Sequence, residues 1–170
     1  MPERRKGILL LAIALVWVFG ALFLGAALSS DRVISGNDLS FLPDHVLQHD
    51  TLWVYAGFIG CNAACPTALA KMSAQLNSQN AAGNTGFLFL NTLSAYDTRQ
   101  ARDYARQFHT SIDGFTADGD DLRTFSTLTN YRTVPSITES GQYEHTDVFF
   151  RFTKNENGTS WRLRRMVSLR

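Results

Sequence analysis

The hydrophobic and polar positions divide the chain into a long apolar segment, a polar stretch and a region of short apolar runs. Residues 7–28 contain no charged side chain, and as a helix they would reach roughly 33 Å, enough to cross a hydrocarbon core of about 30 Å. Residues 29–50 are mixed and polar with turn signals, which is typical of a tether. The pattern predicts one transmembrane anchor, a tether, and one folded domain over residues 51–170.

Four short apolar runs after residue 50 have the character of β-strands. The first two, residues 51–58 (TLWVYAGF) and 86–91 (GFLFLN), lack clean alternation, which is typical of strands covered on both faces. The last two, residues 148–152 and 161–167, flank an Asn-Gly pair at 157–158. Because Asn-Gly favours a tight two-residue turn, these two runs are predicted to form an antiparallel hairpin.

Helical patterns separate these apolar runs. A helix-favouring composition follows the first strand, and apolar residues recur at helical spacing in two later segments. The predicted helices are residues 66–76, 97–108 and 120–131. Strands separated by helices form parallel sheets with right-handed crossovers, and the terminal hairpin adds antiparallel strands. The order predicts an α/β domain of the thioredoxin type, with a central mixed sheet in three layers.

Composition and charge narrow the class of protein. The 170 residues include 16 basic and 15 acidic side chains, so a protein that binds nucleic acid is not expected. Arg4, Arg5 and Lys6 precede the apolar segment, and the positive-inside rule places residues 1–6 in the cytoplasm. The domain is then expected on the periplasmic, or equivalent non-cytoplasmic, side of the membrane. A cleaved signal peptide, which is the alternative, would have an apolar run of only about 7 to 15 residues.

The two cysteines of the chain, Cys61 and Cys65, lie between the first predicted strand and the first predicted helix. Open α/β sheets bind ligands at the carboxyl ends of their strands, so a site is expected there. Pro66 suits the first helical position, and the positive end of the helix dipole would stabilise a thiolate at Cys65. The three intervening residues fit a metal held between two sulfurs and also allow a disulfide. The pair therefore predicts a metal site or thiol chemistry, with a purely structural disulfide as the alternative.

A third metal ligand would come from one of four histidines. His45 and His49 lie in the polar stretch, and His109 ends a predicted helix, where the dipole favours a histidine without any further role. His145 differs, because it stands at the entry to the first strand of the predicted hairpin. A thioredoxin-like fold brings the loop before it beside the first strand–helix junction. The residues alone leave open whether His145 is a metal ligand or a turn residue.

Basic residues gather in the last strand and tail. They are Arg162, Arg164, Arg165 and Arg170. Charged residues commonly protect an edge strand from pairing with another sheet, and this interpretation is favoured over a docking patch for an acidic partner. The last strand is therefore expected at an edge of the sheet.

The sequence around the cysteines resembles the Sco/SenC family. The resemblance covers roughly residues 52–152, and its most specific part is residues 55–70, which contain Cys-x-x-x-Cys-Pro followed by Thr-Ala-Leu-Ala. A His-Thr pair precedes a later strand. An Asp-Thr pair at 97–98 and residues 112–116 (IDGFT) also agree with the family. Members of this family are membrane-anchored copper chaperones of cytochrome c oxidase assembly with a thioredoxin fold.

The resemblance implies a ligand set and a function. Cys61, Cys65 and His145 would bind copper, as Cu(I) or Cu(II), since thiolates select Cu(I) and an imidazole also suits Cu(II). The protein would deliver copper to the cytochrome c oxidase copper-site subunit or to another copper or thiol protein, or would reduce the cysteines of that copper site to thiols. The alternatives are a copper-independent thiol-disulfide oxidoreductase, with Cys61 and Cys65 as catalytic residues, and a tethered interaction module with a structural disulfide.

The sequence departs from the family pattern at three places. Family members usually have an acidic residue between the two cysteines, where this chain has Asn62, Ala63 and Ala64. Their Val-Asp-Pro segment is Thr-Leu-Ser at 92–94. They also continue into a last helix, whereas this sequence ends at Arg170, just after the predicted hairpin. The expectation is a divergent and C-terminally short relative of the family.

Overall fold

The computed structural model describes residues 32–78, 84–137 and 142–167, all within the unit Arg32–Arg170. The predicted membrane anchor, residues 7–28, lies outside the described residues. In the part of the chain that the structure describes, no helix combines the length and the apolar character that crossing a membrane requires. The anchor therefore stays a prediction from the sequence.

Eight strands are formed by the described residues. They are β1 (Arg32–Ser35), β2 (Thr51–Gly57), β3 (Thr85–Asn91), β4 (Ile112–Thr116), β5 (Thr133–Pro135), β6 (Tyr143–His145), β7 (Phe149–Lys154) and β8 (Ser160–Met166). Six of them form a mixed sheet in the order β1-β8-β7-β2-β3-β4, and β5 pairs with β6 in a separate small sheet. Strands β2, β3 and β4 are parallel. Strand β7 runs antiparallel to β2, β8 runs antiparallel to β7, and β1 runs antiparallel to β8. The predicted hairpin is confirmed as β7 and β8.

Helices precede or connect the strands. The described residues contain a 3-10 helix (Gly36–Leu39) and four α-helices, α1 (Asp44–Leu47), α2 (Ala64–Ser78), α3 (Thr98–Arg106) and α4 (Gly119–Thr129). The carboxylates of Asp97 and Asp118 accept hydrogen bonds from backbone N–H groups in the first turns of α3 and α4. Such caps satisfy donors that have no partner within the helix, which explains why α3 and α4 begin close to their predicted starts.

Two apolar clusters lie on opposite faces of the sheet. On one face α2 and α3 pack against the sheet, with Leu69 and Met72 among the buried residues. On the other face α1 and α4 pack, with Val46 and Phe125 among the buried residues. Both clusters include side chains of β2, which is buried from Leu52 onward. The predicted mixed α/β architecture with a central mixed sheet is confirmed, and the layers are consistent with a thioredoxin-like fold.

Residues 32–50 belong to the folded domain, which corrects the prediction of a tether over residues 29–50. Strand β1 pairs with β8, and Leu39, Leu42 and Val46 are buried in the core. They do not form a continuous apolar run, because Ser40 stands between the first two and Asp44 and His45 stand before the third. Short helical turns can bury such residues without a continuous apolar run, so the sequence pattern of residues 29–50 was typical of a tether.

Strand β8 lies between β1 and β7, so the prediction that the last strand forms an edge is wrong. Its exposed Arg162 and Arg164 alternate with the buried Trp161 and Leu163, as expected for a strand with one face on the core. Protection of an edge therefore does not explain these arginines, and the docking patch for an acidic partner remains the alternative interpretation.

Helix α3 packs on β4 so closely that their contact requires a glycine. A Cβ at Gly114 would lie 2.3 Å from backbone atoms of Ala101 and Arg102, whereas a Cβ at Gly119 would meet nothing within 4 Å. We predict that Gly114→Ala lowers the free energy of unfolding by roughly 1–3 kcal/mol, because the helix must shift. The control Gly119→Ala, at the start of α4, should change it by less than about 1 kcal/mol. Urea unfolding of both variants tests this, and equal stabilities would contradict the packing described.

Candidate metal centre

A turn after β2 places the two cysteines. The strand ends at Gly57, and Gly60 has a φ of 96°, a backbone conformation that glycine adopts without steric cost. Helix α2 begins at Ala64, so Cys65 is its second residue and Cys61 lies in the preceding loop. The backbone N–H of Cys65 donates a hydrogen bond of 3.5 Å to Sγ of Cys61. This hydrogen bond fixes the sulfur of Cys61 against the first turn of α2.

The sulfur of Cys65 lies directly against the backbone of β2. Cys65 is fully buried, and a Cβ at Gly57 would lie 2.4 Å from its Sγ. Cys61 is only half-buried, and both cysteines are free thiols in the structure. Gly57 is thus a residue on which the site depends, and only the close approach seen in the structure reveals it.

His145 faces both sulfurs from the end of β6. Its Nε2 lies 3.7 Å from Sγ of Cys65 and 4.0 Å from Sγ of Cys61. The ligand atoms of all three residues lie within 4.8 Å of one another. Nδ1 lies 3.3 Å from the carbonyl oxygen of Thr146, and a neutral ring that donates its proton there has an unprotonated Nε2 toward the sulfurs. The structure therefore brings the three predicted site residues together with suitable donor atoms.

Three aromatic rings surround the His145 ring. The centroids of Tyr55, Phe58 and Tyr131 lie 6.0, 5.8 and 6.4 Å from it. The Tyr55 hydroxyl also donates a 2.7 Å hydrogen bond to Asp147, just beyond the histidine. Burial raises the pKa of Tyr55 above its usual range, so the hydroxyl stays protonated as a donor. Ring packing and this hydrogen bond together fix His145 against the cysteines.

His145 belongs to the small sheet of β5 and β6, and the sequence pattern did not predict this sheet. Thr133 pairs with His145, and the Thr146 N–H donates a 2.9 Å hydrogen bond to the carbonyl oxygen of Arg132. His145 therefore ends its own strand, which corrects its expected place at the entry to the hairpin strand, since β7 begins at Phe149. Each strand of the small sheet has only three residues, too few for a recognisable alternation.

The other histidines lie outside this centre. His45 and His49 line a different cavity, and Nδ1 of His109 accepts a 3.1 Å hydrogen bond from the Ser111 N–H. Within the described ranges, the group of residues able to hold a metal contains none of the three. Of the four histidines, the structure brings His145 to the cysteines, as the resemblance implied.

The two thiols differ in acidity. Burial disfavours the thiolate of Cys61, but hydrogen bonds from the backbone N–H groups of Cys65 and Ala63 stabilise it, so the pKa of Cys61 is lowered to about 7. Burial raises the pKa of Cys65 well above its usual range. The prediction of a dipole-stabilised thiolate at Cys65 is therefore wrong, because desolvation of a fully buried sulfur outweighs the helix dipole. Cys61 is the thiol that ionises near neutral pH.

An open cavity of about 500 Å³ leads to the site. One wall is the loop that begins at Cys61, and the other comes from strand β6 and the described residues beside the small sheet. The lining residues of this second wall are Ser136, Gln142, Tyr143, Glu144 and His145. Cys61 and His145 therefore face solvent through the cavity, whereas Cys65 lies beneath them.

The fold and the site define a thioredoxin-like α/β protein with a two-cysteine, one-histidine group at the end of its central strand. The family model of SCO1/SenC matches residues 43–161. That match covers well over half of the sequence, so the chain belongs to the SCO1/SenC family, and the resemblance drawn from its residues is confirmed.

Solved structures with a similar fold include copper-bound proteins. Yeast Sco1 with copper bound has a TM-score of 0.55 and 23% identity, over 72% of this chain and 69% of that one. Copper-bound ScoI from Bradyrhizobium japonicum has a TM-score of 0.55 and 17% identity, over 76% of this chain and 83% of that one. Copper-bound ScoI from Arabidopsis thaliana has a TM-score of 0.54 and 21% identity, over 62% of this chain and 68% of that one. At such identities the likeness concerns the fold. A comparison with curated proteins found no match.

The acidity of the thiols predicts selective alkylation. In the reduced protein near neutral pH, iodoacetamide should modify Cys61 at least about tenfold faster than Cys65, because the thiolate is the reacting species. The rate at Cys61 should rise as pH increases through about 7, where this thiol loses its proton. Peptide mass spectrometry of time points at several pH values gives both rates.

Unfolded protein in urea is the control for alkylation. Both cysteines should then react at the same rate, and this rate should rise with pH around the pKa of a free thiol. Faster modification of Cys65 than of Cys61 in the folded protein would contradict the burial and the hydrogen bonds described.

Proposed function

We propose that the protein is a copper chaperone that holds one copper ion between Cys61, Cys65 and His145. The observation that carries this proposal is the convergence of two sulfurs and one imidazole nitrogen, within 4.8 Å of one another, beside an open cavity. Thiolates select Cu(I), and the imidazole extends the site to Cu(II). The family to which the chain belongs, and the copper in similar solved structures, support this choice of metal.

The separation of the donor atoms fits a single metal ion. Bonds of about 2.0–2.1 Å to nitrogen and about 2.3 Å to sulfur, as found for zinc, put the two donors roughly 3.5–3.8 Å apart at trigonal or tetrahedral angles. The observed distances from Nε2 are 3.7 Å to Cys65 and 4.0 Å to Cys61. The imidazole would therefore need to move little relative to either sulfur to share an ion with it.

Burial of Cys65 couples copper binding to proton release. Its thiol has a raised pKa, so it is protonated at neutral pH in the absence of metal. Binding replaces the proton with a cation, which compensates the buried negative charge that desolvation disfavours. Copper affinity is therefore expected to increase with pH.

We further propose that the copper is delivered to the copper-site subunit of cytochrome c oxidase, or to another copper or thiol protein. The cavity exposes the side of the site formed by Cys61 and His145, so a partner's ligands can approach the metal there. A shallow site of this kind permits exchange of one ligand at a time. The resemblance to Sco/SenC chaperones supports the oxidase as the target.

A copper titration tests the ligand set. The reduced full chain should bind one copper ion, and His145→Ala should weaken binding of both Cu(I) and Cu(II) by at least about tenfold, because a ligand is lost. Competition with a chromophoric copper chelator measures affinity, and a thiol reagent confirms that both cysteines remain reduced. His109→Ala is the matched control, since this histidine lies outside the centre. Unchanged affinity of His145→Ala would exclude the histidine as a ligand.

We also propose that residues 7–28 anchor the protein as a single-pass membrane protein, with the domain on the periplasmic or equivalent side. The support is the uncharged apolar segment and the basic cluster before it. The full chain should stay in the membrane pellet after alkaline carbonate extraction, and deletion of residues 7–28 should release it. Protease added to intact spheroplasts should cleave the domain. Release of the full chain into the carbonate supernatant would disprove the anchor.

A copper-independent thiol-disulfide oxidoreductase is the second candidate, and the lowered pKa of Cys61 favours it. The Cys61 thiolate would attack a partner disulfide, forming a mixed disulfide and releasing one partner thiolate. The sulfur of Cys65 would then attack Cys61, releasing the second partner thiol and leaving the pair oxidised. His145→Ala separates the two functions, since disulfide reduction needs the thiols alone whereas copper binding needs all three residues.

A further inference from the structure

A second cavity lies at the opposite end of the sheet from the cysteines. Its volume is about 550 Å³, within the range of about 300–1,000 Å³ typical of pockets for small molecules. The walls come from the segment before β2, the second half of α3 and the loop that leads into β4. These segments meet at the amino ends of the parallel strands, whereas the metal centre follows the carboxyl end of β2. The cavity is therefore a separate site.

Asp113 fixes two basic side chains of this cavity. Its carboxylate accepts a 2.8 Å hydrogen bond from Nε of Arg102 and a 2.9 Å hydrogen bond from the Gly114 N–H, and it also contacts Nε2 of His45. Burial disfavours the carboxylate charge, but these hydrogen bonds lower the pKa of Asp113. Arg102 uses Nε for this contact, so its two terminal nitrogens remain as donors.

His49 is held in the wall of the same cavity by contacts of its own. Its Nδ1 lies 2.7 Å from Oδ1 of Asn84, whose amide nitrogen donates a 2.8 Å hydrogen bond to the carbonyl oxygen of Gln48. A Cβ at Gly86 would lie 2.3 Å from the His49 ring, so the glycine leaves the space that the ring occupies. The walls are thus fixed by packing and hydrogen bonds, as binding sites require.

The cavity has an excess of positive charge. Arg102 and Arg106 lie one turn apart on α3, a spacing at which like charges repel. Asp113 is the only acidic side chain among the described residues that line the cavity, and it already pairs with Arg102. Arg106 is exposed and forms no ion pair within the described part of the chain. Thr110 and Ser111 add two exposed hydroxyl donors beside it.

We propose that this cavity binds a phosphate group through Arg102, Arg106 and the hydroxyls of Thr110 and Ser111. A phosphate presents several oxygens, which can accept hydrogen bonds from two guanidinium groups and two hydroxyls at once, whereas a carboxylate has only two oxygens. The cavity has room for more than the phosphate itself, so both free phosphate and a small phosphate ester fit. This site uses no residue of the metal centre and does not depend on copper binding.

Calorimetric titration of the full chain with inorganic phosphate, and separately with glycerol 1-phosphate, tests the site. Saturable binding is expected, and Arg106→Ala should weaken it by at least about tenfold, because a charge-assisted hydrogen bond is lost. Arg106 is exposed, so its replacement should leave the fold and the copper affinity unchanged, which circular dichroism and copper titration verify. Arg99→Ala is the matched control, since it removes a charge from the same helix outside the cavity.

The two ligands distinguish the sources of the phosphate. Tighter binding of glycerol 1-phosphate identifies a phosphate ester as the ligand, and equal binding identifies phosphate itself. Three results would overturn the proposal. They are no saturable binding of either ligand, binding that Arg106→Ala leaves unchanged, and an equal loss of affinity in Arg99→Ala.

Discussion

Packing at the carboxyl end of β2 determines the geometry of the whole metal centre. Tyr55 and Phe58 contact the His145 ring, and the missing side chain of Gly57 makes room for the sulfur of Cys65. The strand itself is fixed because β3 and β7 pair with it on either side and both apolar clusters bury it. The ligands thus come from a loop, a helix and the small sheet of β5 and β6, but one buried strand positions them all.

The sequence predicted the parts of the site that depend on neighbouring residues. The apolar run of β2 and the spacing of Cys61 and Cys65 are properties of neighbouring residues, so the strand, the helix and their junction were predictable. The position of His145 depends on a small sheet far along the chain and on aromatic contacts, which no local pattern encodes, and the family resemblance supplied it instead. The acidity of Cys65 could not be predicted from the helix dipole alone, because the burial that Gly57 permits disfavours its thiolate.

The asymmetry of the two thiols is compatible with both chemical roles of the site. Cys61 is accessible and ionises near neutral pH, so it can receive a metal or attack a disulfide first. Cys65 is buried and protonated until a metal or a second sulfur engages it. The same geometry therefore provides one accessible sulfur and a second, buried sulfur beneath it. The imidazole of His145 adds the third donor atom that a simple dithiol lacks.

X-ray absorption at the copper edge of the full chain, loaded with one equivalent of Cu(I), tests the proposed centre most directly. Two sulfur neighbours and one imidazole nitrogen around each copper ion are the expected result. A copper ion bound by sulfur alone, or one with no sulfur neighbour, would contradict the assignment of Cys61, Cys65 and His145 as its ligands.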